Sequence, residues 1–298
     1  MMEQLPQMDS ASVRRLTDDC PIVLLGAGGM LYRAWAELLA SVGQPFVGLS
    51  PADIELTDPA SIDAAVRPQW RLVINCAAYT DVDGAETHPA LAMAVNGTGV
   101  GRLAERCRQV GAMLVHYSTD YVFRGNATRP YRIDDPPEPV GVYAQSKALG
   151  ERLVRQSGCR ALIIRTSWLY APWGRNFVRT IAGLARQKPT LSVVNDQTGR
   201  PTSAEHLAAT SLRLLAAGHS GIRHVTDGGQ CTWFDLAAEV ARAVNPACQV
   251  LPCTTAEFPR PAPRPAYSVL DLSDTECVLG PMPPWRENLA KVLPRLEP

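Results

Sequence analysis

The chain has 298 residues, with 29 basic and 29 acidic side chains and therefore no net charge. Apolar residues make up 46% and charged residues 19%, an ordinary globular composition that excludes collagen, coiled coil or disorder for the chain as a whole. Balanced charge argues against nucleic acid or an anionic membrane as partner, since both reward a basic face, and no apolar run reaches the ~18 residues of a membrane span.

Residues 1–20 are polar and aperiodic and read as an N-terminal arm without the apolar block of a secretory leader. Short apolar runs then alternate with amphipathic stretches. Strands are predicted at 21–25, 45–49, 71–75, 112–117 and 161–165, and helices at 31–41, 59–66, 90–109 and 143–156. Asp58 is placed to cap the second of these helices, which opens on a proline. Strands this apolar, separated by helices, predict a parallel sheet covered on both faces, the doubly wound α/β (Rossmann) architecture. Further on, helices are predicted at 175–186, 204–217 and 232–244, and short strands at 191–194, 222–225 and 249–252. Proline is dense over 259–265 and 281–284. The division expected is a dinucleotide-binding domain over 21–169, with 203–226 returning to it. A smaller substrate-binding region would span 170–202 and 227–298.

The eight cysteines form no C-x-x-C pair and do not combine with the five histidines at zinc spacing. They read as reduced thiols of a cytoplasmic protein, most of them small core residues, and no metal site is assembled from the sequence.

The run from Gly26 to Tyr32 follows the first strand and opens a helix. Glycines there let the backbone approach a pyrophosphate, whose charge the helix N-terminus favours. As G-x-x-G-x-x-G the run matches at Gly26 and Gly29 and carries Tyr32 in third place. As G-x-G-x-x-G it matches at Gly26 and Gly28 and fails at Leu31. The tyrosine ring has three ways out: towards solvent, over the pyrophosphate, or against a displaced helix. The second strand ends in Leu49-Ser50-Pro51, with no acid to hold the ribose 2′-hydroxyl of NAD. That points to NADPH, with NADH as the other option. Arg33 reads equally as a partner for a 2′-phosphate or as a solvated helix residue.

Tyr143 and Lys147 stand four apart at the start of a predicted helix, hence on one face. The ammonium is expected to favour the phenolate and bring the tyrosine pKa down towards neutrality, so that the phenol can protonate a carbonyl oxygen as hydride arrives at carbon. Upstream, Ser118 and Thr119 end the fourth strand, where open α/β sheets place ligands, and either hydroxyl can polarise a carbonyl.

With these residues in view, the chain resembles the extended short-chain dehydrogenase/reductases and, within them, the dTDP-4-dehydrorhamnose reductase family. The resemblance covers about residues 21–295. It rests on Gly26–Gly29, the run from Asn75 to Glu86, Val95-Asn96, Ser118–Phe123, Tyr143–Lys147, the run from Arg165 to Tyr170, the run from Asn195 to Thr202, and Arg264-Pro265 with Ser268, Leu270 and Asp271. It implies catalysis by Thr119, Tyr143 and Lys147. Cofactor contacts would come from Gly26, Gly29, Met30, Leu31, Asp58, Ala77, Ala78, Tyr79, Tyr143 and Lys147. Substrate contacts would come from Thr119, Asp120, Trp168, Asn176, Gln197 and Arg264, with Asn96 as a helper nearby. Trp168, just past a strand, could offer its face to a sugar or serve as a core tryptophan.

The activity implied is NAD(P)H-dependent reduction of the C4 ketone of dTDP-4-dehydro-L-rhamnose, with Tyr143 as proton donor. Two alternatives are a 4-ketoreductase for another dTDP-deoxysugar and a non-catalytic subunit resembling the regulatory subunit of methionine adenosyltransferase. The partner implied is a nucleotide sugar, with a homodimer as the assembly to test. Some relatives bind magnesium through glutamates at a dimer contact, and Glu205 follows the matching Pro-Thr, but no ligand set accompanies it.

Overall fold

The computed structural model describes residues 22–297, so the arm expected over 1–20, with Cys20, lies outside the described residues. Its centre is a six-stranded parallel sheet. In chain order its strands are β1 (Ile22–Leu25), β2 (Phe46–Leu49), β3 (Leu72–Asn75), β4 (Met113–Thr119), β5 (Ala161–Thr166) and, much later, β10 (Gly221–His224). The spatial order is β10-β5-β4-β3-β1-β2. The chain leaves β1 to one side for β2 and crosses back to the other for β3, so the switch point lies between β1 and β3, where such sheets bind ligands.

Side chains alternate along each strand. Ile22 and Leu24 enter a core shared with helices α1 (Met30–Ser41) and α8 (Ala204–Ala216). Val23 and Leu25 enter the opposite core, shared with α2 (Pro59–Ala65), α5 (Val100–Val110) and α6 (Val142–Gln156). A buried relay ties the first layer together: Trp35 Nε1 donates to Tyr117 Oη at 2.7 Å, which donates to Ser211 Oγ at 2.9 Å. Asp58 caps α2 by accepting the Ala60 N–H at 2.9 Å, as the sequence predicts.

The single long helix expected over 90–109 is corrected. Past α3 (Val82–Thr87), the chain forms α4 (Pro89–Met93), a π-helical turn over Ala94–Gly99, and then α5. The wide turn presents Asn96 inward, and it lies so close to α6 that a Cβ on Gly150 would stand 2.3 Å from the Asn96 carbonyl oxygen. Such turns recur where a helix must aim a functional group.

A second apolar cluster lies beyond the sheet, between α7 (Phe177–Gln187), α9 (Trp233–Val244) and α11 (Trp285–Val292), with α10 (Ser273–Leu279) before it. Three small parallel or antiparallel pairs brace this region: β6 (Leu169–Tyr170) with β9 (Thr202–Ser203), β7 (Thr190–Val194) with β12 (Gln249–Cys253), and β8 (Thr198–Gly199) with β11 (Cys231–Thr232). Among the described residues no helix is long and apolar enough to cross a membrane.

Candidate active site

The glycine loop is shaped for close approach. Gly26 has φ +93°, and a Cβ there would meet the Ala77 nitrogen at 2.8 Å, so the loop presses against the end of β3. Gly29 begins α1 with no side-chain cap, leaving the first-turn N–H groups of Met30, Leu31 and Tyr32 without intrahelical acceptors. Gly28, at φ +89°, has open space beside it. A bare helix start over a glycine cradle at the switch point fits a dinucleotide pyrophosphate.

Two side chains at this loop are engaged within the protein. Tyr32 is half-buried against β2: its hydroxyl fills the space of a side chain at Gly48, 1.9 Å from where that Cβ would be, so the missing side chain in β2 makes room for the extra ring in α1. Arg33 is not free for a phosphate. It pairs with Glu37 and Glu297, both at 2.8 Å, and its guanidinium stacks over Trp173. Met30 is fixed from outside the loop, its carbonyl accepting Trp173 Nε1 at 3.1 Å.

Along the carboxyl edge of the sheet, Asn75 at the end of β3 accepts the Ala77 N–H at 3.1 Å. Asn96 holds Tyr79 from both sides, Oδ1 accepting its N–H and Nδ2 donating to its carbonyl, each at 2.9 Å, and Nδ2 also reaches Ser146 Oγ at 3.1 Å. The π turn thereby joins the Ala77–Tyr79 loop to α6. Glu86 accepts the Val142 N–H at 2.8 Å and so caps the helix that carries Tyr143; its charge suits that end. The role of Glu86 was not readable from spacing, because its partner lies in a distant segment.

Thr119 ends β4. Its hydroxyl donates to Asp120 Oδ1 at 2.9 Å and accepts the Tyr121 N–H at 3.2 Å, and it lies near enough to Tyr143 to influence its titration. Lys147 is buried one turn along α6 and donates to the Tyr117 carbonyl at 2.6 Å. The expected sign of the tyrosine shift is reversed. Burial first, then the Asp120 charge, push the Tyr143 phenol up to about 12, opposed by the Thr119 hydroxyl. Burial lowers Lys147 to about 8, opposed by Glu151. Burial lifts Asp120 to about 7 against hydrogen bonds from Ser268 and Thr119, and its Oδ2 has no partner. Ser118 Oγ is likewise buried without a partner.

The proline-dense segment closes one side. Arg264 pairs with Asp83 at 2.9 Å, and Pro263 lies against Gly141 at the head of α6. Trp168 adopts φ +47°, the one non-glycine residue with positive φ among the described residues. Its indole is stacked on Trp233, centroids 3.6 Å apart at 10°, with Gly199 close beside it. One face is therefore taken by Trp233, and Gly199 packs against the Nε1–Cε2–Cζ2 part of the indole. Gln197 is buried and donates to Thr255 Oγ1 at 2.9 Å. Asn176 is drawn away from the expected substrate role: it caps α7 through the Arg179 N–H, and its amide donates to the carbonyls of Ala171, Trp173 and Gly174. Asp58 is exposed, its carboxylate engaged in capping α2. Glu205 pairs with Arg295.

Comparison with known proteins agrees with this geometry. The family model described as "RmlD substrate binding domain" matches residues 20–297. A dTDP-4-dehydrorhamnose reductase of Streptomyces griseus is 44% identical over 286 residues, 92% of this chain and 93% of that protein. The crystal structure of a dTDP-4-dehydrorhamnose reductase from Clostridium acetobutylicum superposes with a TM-score of 0.89 at 36% identity, covering 92% of this chain and 98% of that one. That of the Bacillus anthracis enzyme in complex with NADP superposes at 0.88 and 34%, with the same coverage. On the family match, the shared sequence and the shared fold, the chain belongs to the dTDP-4-dehydrorhamnose reductase family of short-chain dehydrogenase/reductase-like oxidoreductases.

Proposed function

We propose that this chain reduces the C4 ketone of dTDP-4-dehydro-L-rhamnose to dTDP-L-rhamnose with NADPH, Tyr143 giving the proton. The observation that carries the proposal is the meeting of Thr119, Tyr143 and Lys147 at the carboxyl edge of the sheet that also carries the open glycine loop. NADPH, when bound, supplies the hydride. The binding of NADP by the Bacillus anthracis relative supports that choice, as does β2, which runs into Ser50 rather than an acid.

The residues of this chain do the rest. A phenol held near 12 stays protonated at neutral pH, the state that a ketone reduction needs in its acid. Thr119 orients that hydroxyl and can share the developing charge on the ketone oxygen. As Tyr143 gives up its proton, the Lys147 ammonium, fixed by the Tyr117 carbonyl, stabilises the phenolate one turn away. Thr119, Asp120, Trp168, Gln197 and Arg264 would hold the nucleotide sugar. Asn176 is left out of that set, because its amide is fully used within the protein.

The test is NADPH oxidation in the presence of dTDP-4-dehydro-L-rhamnose, with the product identified by NMR. Turnover to dTDP-L-rhamnose supports the reading. Turnover to the C4 epimer, or only with differently substituted 4-keto sugars, would assign the chain to another deoxysugar. Binding of NADPH with no turnover of any 4-keto sugar would favour a non-catalytic role.

A further inference from the structure

One carboxylate joins the first turn of α3 to the proline-dense segment. Asp83 Oδ2 accepts Arg260 Nε at 2.9 Å and also Arg260 Nη2. Its Oδ1 accepts the Ala262 N–H at 3.2 Å and pairs with Arg264 Nη2 at 2.9 Å. Arg264 is held by its own segment as well, Nη1 donating to the Ala262 carbonyl at 2.7 Å. Asp83 sits in a fixed turn: α3 is capped by Asp81, whose Oδ1 accepts the Gly84 N–H at 2.9 Å. A Cβ on Gly84 would stand 2.8 Å from the Tyr79 hydroxyl, and Tyr79 is in turn held by Asn96.

The neighbours of Arg264 lock onto the catalytic end of the sheet. Pro263 lies 3.1 Å from where a Cβ would be on Gly141, two residues before Tyr143. Pro265 lies 2.2 Å from that position on Gly125, in the loop beyond Asp120. Both glycines adopt positive φ, and each leaves room that a side chain would take from a proline. Arg264 is therefore suspended between the head of α6 and the end of β4, with 16% of its side chain exposed.

We propose that Asp83 is a positioning residue for the substrate, aiming Arg264 at the diphosphate of the nucleotide sugar; this rests on the nucleotide-sugar reading above. Two guanidiniums share one carboxylate, so the cluster keeps a net positive charge for an anion. A guanidinium carries five N–H donors in a rigid fork. With Nη1 and Nη2 each tethered once, Arg264 keeps its outer N–H groups and Nε, which has no partner among the described residues. A side chain already fixed in this way loses less freedom on binding, so the ordering cost is met before the diphosphate arrives. Arg260 is half-exposed and adds its charge at the rim, where charge acts on encounter more than on the bound state.

The test is calorimetric titration with dTDP, which carries the diphosphate and cannot react, on full-length wild type, Asp83→Asn, Arg264→Ala and the double variant. Arg264→Ala should weaken dTDP binding at least about tenfold, the loss expected of hydrogen bonds to a charged group. Asp83→Asn keeps an acceptor for the Ala262 N–H without the charge. It should weaken dTDP about three- to tenfold, the coupling of groups in one network, with NADPH affinity unchanged. The double variant should lose no more than Arg264→Ala alone, because Asp83 acts through that arginine. In turnover, Asp83→Asn should raise KM for the nucleotide sugar and leave kcat within about twofold, the pattern of lost uniform binding. Additive losses in the double variant, tighter dTDP binding in Asp83→Asn, or a parallel loss of NADPH affinity would overturn the proposal and leave the nucleotide-sugar reading standing. Failure of the wild type to bind dTDP would overturn both.

Discussion

The guanidinium of Arg165 grips the carboxylate of Glu151 with two parallel hydrogen bonds, 2.9 and 2.7 Å long, with both side chains more than nine-tenths buried. Glu151 lies one helical turn beyond Lys147 on α6, and Arg165 belongs to β5, so the pair fixes the helix that carries Tyr143 and Lys147 against the sheet. Removing one member of a buried pair strands the other charge and destabilises by about 3–5 kcal/mol. Glu151→Ala should therefore lower the urea midpoint strongly, and a midpoint close to wild type would show that the pair does not bear on folding.

The same carboxylate raises the pKa of Lys147, against the burial that brings it to about 8. If the reduction needs the ammonium, kcat falls as pH rises through about 8. Glu151→Gln, which keeps the shape but not the charge, should move that alkaline limb to lower pH. An unmoved limb would separate Glu151 from catalysis. The effect of Lys147 on stability has the opposite sense. The folded protein releases this proton before the unfolded chain does, so the contribution of the group to stability rises between about pH 8 and the ordinary lysine value.

Asp120 titrates the other way. Its carboxyl is raised from 3.8 to about 7, so the folded state holds its proton over a range where the unfolded chain has lost it. Its contribution to stability is thus greatest at low pH and falls as pH rises from about 4 to about 7. Denaturant midpoints measured across that window should show a slope that Asp120→Asn flattens. An equal slope in the variant would mean that another group is responsible.

Trp168 depends on Trp233 for its pose. An aromatic pair contributes about 0.5–1.5 kcal/mol beyond its buried area, which corresponds to about two- to twelvefold in binding. Trp233→Ala should raise KM for the nucleotide sugar by that order while leaving NADPH affinity, measured without substrate, unchanged. A change in NADPH affinity alone would place the stack on the cofactor side.

At the glycine loop, Gly26→Ala would combine φ +93° with a Cβ 2.8 Å from the Ala77 nitrogen. Both force the loop away from β3, so NADPH binding followed by fluorescence should weaken at least about tenfold. Retained affinity would show that the cradle is not where the dinucleotide lies.

The sheet was legible in the sequence because each of its inner strands is an apolar run that must be buried on both faces, as Ile22–Leu25 and Leu72–Asn75 are. Tyr143 and Lys147 were legible because helical spacing alone puts them on one face. The π turn at Ala94–Gly99 was not, since apolar periodicity runs through it and only its packing on Gly150 shows the change of pitch. Nor was the direction of the Tyr143 shift, which depends on burial and on Asp120 rather than on the lysine beside it in sequence. Arg33, equally a phosphate partner or a solvated residue by sequence, and Asn176, a substrate contact by resemblance, are engaged instead by Glu297 and Trp173 and by the carbonyls of the 171–174 loop, partners too distant in sequence, or too irregular in spacing, to be read there. The helices Val82–Thr87 and Ser273–Leu279 are too short to show a period of their own.

The most direct measurement is reduction of dTDP-4-dehydro-L-rhamnose with NADPH deuterated at the transferred position of the nicotinamide, in wild type and Tyr143→Phe. The wild type should place deuterium at C4 of dTDP-L-rhamnose. The phenylalanine variant should bind NADPH normally and turn over at least about 100-fold more slowly, the contribution expected of a general acid. Label absent from C4, or near-normal turnover without the Tyr143 hydroxyl, would contradict the assignment of this site.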